Sequence, residues 1–143
     1  MILLDKALKY CNDVVEGKEI TTDEVKLQCK IFLEDYYKNQ YLDEFEFCFS
    51  ENKLKKINNL LKLFNYATGF IAGKQVLEGL EGFQCLFLSA IFGWRYKSNK
   101  KKFRYRDVVL FIPRKNAKTF IIAVVFLLLM LTEQAFSEFY SIC

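Results

Sequence analysis

The chain is 143 residues long, 52% hydrophobic and 17% aromatic, with a formal net charge of +4. That composition excludes intrinsic disorder and is long enough for one well-buried core. A single proline and six glycines leave few tight turns, which argues against an all-β fold and for helices.

In chain order, Leu4, Ala7, Leu8, Cys11, Val14 and Val15 recur at helical spacing, and Gly17 follows as a stop. The stretch "TTDE" predicts a second helix, with Thr21 and Glu24 at capping-box spacing and Val25, Cys29, Phe32, Leu33 and Tyr36 on one face. Phe45, Phe47 and Phe49 alternate, which suits a short extended piece. Ser50 then caps a third helix that turns Leu54, Ile57, Leu61 and Phe64 inward. Residues 1–72 read as a helical N-terminal subdomain.

Gly69, Gly73, Gly79 and Gly82 punctuate the next region, after which "FQCLFLSAIFGW" predicts a helix ending near Gly93. "RYKSNKKKFRYRD" is too charged for core and reads as a loop or a solvated hairpin tip. Asp107 to Pro113, "DVVLFIP", is a short β-branched apolar run fit for a strand buried on both faces. After the polar "RKN", the run from Ala117 to about Thr132 is too long for a strand and predicts a helix; "SEFYSIC" begins a second strand. Strand, loop, helix and strand make a βαβ unit with a parallel sheet, so residues 73–143 are expected to open an α/β domain.

Charge is unevenly placed. Up to residue 80, 11 basic residues face 13 acidic ones, whereas from Arg95 to Lys118 ten basic residues accompany a single acid, Asp107. A polyanion is the partner such a segment suits. One form of that reading is a non-enzymatic nucleic-acid-binding module using residues 95–106, with Trp94, Tyr96, Phe103 and Tyr105 interleaved among the cations; the other is a solvated loop. The absence of histidine and of any C-x-x-C pair excludes an ordinary zinc site, and the five scattered cysteines read as reduced core filler. "MILLDKALKY" carries no basic leader and has Asp5 within its apolar stretch, so no signal peptide and a cytoplasmic location are expected. Phe120 to Leu131 is uninterruptedly apolar but short of the roughly 20 residues a spanning helix needs.

The pair Lys118-Thr119 falls at the expected strand-to-helix transition. There a lysine can reach nucleotide phosphates, a threonine hydroxyl can bind Mg²⁺, and the helix N-terminus adds its positive end. By residue type alone, "FIPRKNAKTF" is either such a phosphate loop or a basic turn.

"IPRKNAKT" resembles the variant Walker A loop of phage terminase large subunits, the DNA-packaging motors, in which forms such as "V-P-R-K-N-G-K-S" are typical. "LEGFQCLFLSAIFGWR" is similar to the family segment "L-E-P-W-Q" with its following apolar helix and "F-G-W"; "YCNDVVEGKEI", "VKLQCKIFLEDYYKN" and "SEFYSIC" look like its N-terminal helices and next strand. The resemblance spans nearly the whole chain. It implies the first βαβ unit of a P-loop NTPase sheet and the cofactors ATP and Mg²⁺. Pro113, Arg114, Lys115, Asn116, Ala117, Lys118 and Thr119 would surround the phosphates, with Lys118 and Arg114 catalytic and Thr119 the metal ligand. Gln84 would read adenine, its alternative being a surface glutamine on an amphipathic helix.

The family's partners would be double-stranded DNA, a terminase small subunit and a portal protein, in the cytoplasm of a host bacterium, with no membrane. Ala117 stands where the family loop has glycine, and Gly82 and Phe83 where it has proline and tryptophan. After Lys118 the only acids are Glu133 and Glu138, so an N-terminal, truncated motor fragment is expected, without the Walker B acid or nuclease domain and inactive by itself.

Overall fold

The structure, a computed structural model, describes residues 1–67, 69, 72–113, 115 and 117–133. It is a mixed, mainly helical fold with one two-stranded antiparallel sheet. Two compact units divide it, Met1–Arg106 and Asp107–Cys143.

In the first unit, α1 (Ile2–Val15) packs against both α2 (Asp23–Tyr37) and α5 (Gly82–Gly93). Leu4, Ala7, Cys11 and Val14 of its predicted stripe are buried, joined by Leu3, while Leu8 and Val15 are half-buried. Gly17 ends it at φ 77, and Lys18 N–H donates to the Asp13 carbonyl at 2.8 Å. The second helix is capped by Thr22, whose hydroxyl accepts from Val25 N–H at 3.4 Å, one residue beyond the expected Thr21. Either threonine is a competent cap, so the choice falls to where the helix packs.

Strand β1 (Phe47–Phe49) leads into α3 (Glu51–Leu63), capped as expected by Ser50, with Leu54, Ile57 and Leu61 buried. Asn58 is buried with them because its Oδ1 accepts from Leu3 N–H at 3.0 Å, satisfying the uncapped start of α1. The short α4 (Val76–Gly79) is closed by Lys6, whose ammonium donates to the carbonyls of Leu77, Glu78 and Leu80.

β2 (Trp94–Tyr96) follows α5 directly and pairs antiparallel with β1 in the register Phe47↔Tyr96, Cys48↔Arg95 and Phe49↔Trp94. Arg95 and Tyr96 are thus sheet, at the start of the stretch expected to be a loop or a solvated hairpin tip. Arg95 is only 1% exposed, its guanidinium donating to the Phe92 and Lys101 carbonyls and lying 3.7 Å from the Phe103 ring centre. Arg104 enters the interior as well, bonded to the buried Asp35 at 2.6 Å and stacked near Phe45, Phe47 and Trp94. A guanidinium can be buried when carboxylate, carbonyls and ring faces take the place of water, which charge counting along a sequence does not register.

In the second unit, α6 (Lys118–Thr132) matches the predicted helix, burying Ile121, Val124 and Leu128. The predicted strand at 107–113 is not formed: it pairs with no strand among the described residues, and Val109 and Phe111 are 89% and 98% exposed. A strand buried on both faces requires neighbours on both edges, and the sheet found is antiparallel and lies elsewhere. The second predicted strand, "SEFYSIC", lies outside the described residues. Among the described residues, no helix is long and apolar enough to cross a membrane.

Candidate phosphate-binding loop

Residues 113–119 enter α6 through two left-handed backbone positions, Lys115 at φ 66 and Ala117 at φ 55. Both are non-glycine residues in a region that L-amino acids occupy at a cost of about 1–2 kcal/mol each. Ala117 is the N-cap, with ψ 33, and its carbonyl takes the first helical bond, from Ile121 N–H at 3.0 Å. Where such positions alternate with right-handed ones, successive N–H groups can form an anion-binding concavity.

The start of α6 has no side-chain cap. α2 and α3 carry hydroxyl caps and α5 a full capping box, but an alanine has no acceptor to offer. Ala117 itself therefore offers no side-chain acceptor to the first turn of the 15-residue helix. Lys118 and Thr119 occupy its first turn, Lys118 half-buried and Thr119 exposed. Neither Lys115 nor Lys118 forms an ion pair with a described acid, so both ammonium groups can face an anion. Pro113 is exposed, whereas Arg114 and Asn116 lie outside the described residues.

Gln84 sits in the first unit, 5% exposed, and is not a surface residue. Its Oε1 accepts from Glu81 N–H at 2.9 Å, and the Glu81 side chain in turn caps Gln84 N–H. The carbonyl half of its amide thus holds the start of α5, which leaves the NH₂ half for other partners. The glycine two residues earlier has a local reason. A Cβ on Gly82 would lie 2.8 Å from Tyr10 Cβ, so a proline, which carries that atom, does not fit against α1.

The basic stretch uses its aromatics internally. Trp94 is fully buried, with its ring 5.2 Å from Phe49 at 80°, Lys102 lies 4.5 Å above Tyr96, Arg95 covers Phe103, and Arg104 lies near Tyr105. The exposed positive charge that remains is Lys97, Lys100 to Lys102 and Arg106, with Lys97 tied to the Leu42 carbonyl at 2.6 Å.

Among the described residues, Cys11, Cys29, Cys48 and Cys85 are free thiols. Cys11 and Cys29 hydrogen-bond each other across α1 and α2: Cys11 holds its proton more tightly as donor, and the acceptor Cys29 is shifted down. Burial pushes Cys85 up to about 11. Among the described residues, no group of three or more Asp, Glu, His or Cys could hold a metal ion.

Compared with family models, curated proteins and solved structures, the chain matches none.

Proposed function

We propose that the loop at 113–119 and the N-terminus of α6 bind the phosphates of ATP, as in the ATP-binding part of the phage terminase large subunits that the sequence resembles. The observation that carries this reading is the left-handed Ala117 at the start of α6, with Lys118 and Thr119 in the first turn of the helix. Backbone N–H groups and the helix dipole favour a dense anion there, and the Lys118 ammonium neutralises phosphate charge. Arg114 adds a guanidinium for charge developing on a transferred phosphoryl group. Thr119 offers a hydroxyl to Mg²⁺, which commonly takes its other ligands from phosphates and water. In this reading residues 107–113 deliver the loop to α6 as unpaired chain, and the P-loop parallel sheet that the resemblance implies is not formed by the described residues. Packaging of double-stranded DNA is then the work its chemistry serves, in a bacterial cytoplasm.

Titration calorimetry with ATP and Mg²⁺ tests the site. The wild-type chain should bind and Lys118→Ala should lose at least tenfold in affinity; equal binding by both would sink the nucleotide reading. The alternative, a nucleic-acid module at 95–106, keeps its phosphate contacts through Lys100 and Lys101, but its rings already carry the unit's own cations.

A further inference from the structure

The outer face of α3 carries a charge pattern unlike that of its neighbours. Asn52, Lys55, Lys56, Asn59 and Lys62 are all exposed and recur at spacings of three and four residues, opposite the buried Leu54, Ile57 and Leu61. Lys74, exposed, lies in the segment that returns to the end of the helix, where Asn65 bridges Gln75 and Val76 N–H donates to the Phe64 carbonyl. A solvated helix ordinarily offsets lysines with carboxylates one turn away, as α1 does with Lys9 and Asp13 at 2.9 Å. On α3 the single acid, Glu51, accepts a hydrogen bond from the Tyr36 hydroxyl at 2.9 Å, and Lys55, Lys56 and Lys62 form no ion pair with any described residue. Their mutual repulsion is left unscreened by the protein.

We infer that this face is a docking surface for the phosphate backbone of a double-stranded nucleic acid. Lys55 and Lys62 are seven residues apart, about 10 Å along the helix. A duplex presents about six phosphate charges over that length, one per 1.7 Å of axis. Asn52 and Asn59, interleaved with the lysines, supply neutral donors and acceptors of the kind that fix register on sugar and phosphate. A membrane surface is the poorer fit, because an interfacial helix must insert an apolar face and that of α3 is already buried in the core. The inference is independent of the phosphate loop.

The test uses the full chain and a fluorescent 20-base-pair duplex, with fluorescence anisotropy read across a sodium chloride series. The variant Lys55→Gln/Lys56→Gln/Lys62→Gln changes only exposed side chains, and circular dichroism checks its fold. Each lost phosphate contact removes about 0.9 from the slope of log affinity against log salt, so the triple variant should be shallower by about 2.7. The corresponding triple arginine variant should keep the wild-type slope, as should Lys118→Ala, whose failure to bind ATP would concern the other site. A slope unchanged in the glutamine variant overturns the inference, and so does loss of binding to anionic phosphatidylserine vesicles with duplex binding intact.

Discussion

Ala117 is the residue at which sequence and backbone disagree, and the size of that disagreement can be measured. At φ 55 and ψ 33 its Cβ crowds the following carbonyl, at a cost of about 1–2 kcal/mol relative to glycine in the same conformation. Glycine, in turn, frees the unfolded chain by about 0.4–1 kcal/mol. Ala117→Gly should therefore stabilise the chain by a net amount on the order of 0.5–1 kcal/mol, read as an increase in urea midpoint without change in slope. That gain alone is not decisive, since glycine also surpasses alanine at an ordinary N-cap. Ala117→Val separates the cases. An N-cap in the extended region accepts a β-branched residue readily, whereas a left-handed one does not. Valine should cost at least about 1 kcal/mol beyond alanine and weaken ATP binding in the same proportion. A valine variant as stable as wild type would refute the left-handed loop and, with it, the anion-binding concavity.

Two other outcomes follow from groups in the first unit. Asp35→Ala leaves the Arg104 guanidinium without its carboxylate and should cost about 3 kcal/mol in urea unfolding, while Asp35→Ala/Arg104→Met should recover most of it; a double variant as unstable as the summed singles would refute the pairing. Burial holds the Cys85 thiol at about 11, above the usual thiol value of 9.0, so the folded state favours the neutral thiol. Its contribution is full below pH 9 and is lost as pH rises to about 11, on the order of 3 kcal/mol. Cys85→Ala should flatten the wild-type decline over that interval, and parallel curves would contradict the assignment.

The helices were legible because periodicity and caps are local. Ser50 and the stripe of Leu54, Ile57 and Leu61 specify α3 within its own length, and the apolar run at 118–132, too long for a strand, forms the expected helix, although Ile122, Phe126, Leu127, Met130 and Leu131 are exposed rather than buried. What escaped the sequence depended on distant partners. Arg104 is interior because Asp35, 69 residues away, meets it, and Arg95 because carbonyls and Phe103 replace its water. Gln84, which the sequence offers as an adenine reader or a surface glutamine, is buried with its Oε1 turned back to Glu81 N–H. The run 107–113 has strand composition throughout, yet composition cannot supply the neighbouring edges that a strand requires. For the candidate loop, the lysine and threonine were visible in sequence. The left-handed turn was not, since nothing in "KNAK" announces a positive φ at alanine.

The two proposed anion sites, if both hold, would take different partners. At the start of α6 the attraction would come from backbone N–H groups near Lys115 and Ala117, whose left-handed φ holds the chain, so little would be lost in ordering them and the charge accepted would be compact. Such a site suits a terminal polyphosphate. On α3 it comes from flexible lysine side chains spread along the helix, each costing about 1 kcal/mol or more to immobilise. Only a ligand with charge spaced over a similar length, and with counterions to release, offsets that cost. Salt should therefore separate them: strong dependence for duplex binding at α3 and a much weaker one for nucleotide at α6. Equal salt dependence at both would mean that the α6 site is nothing more than its lysines.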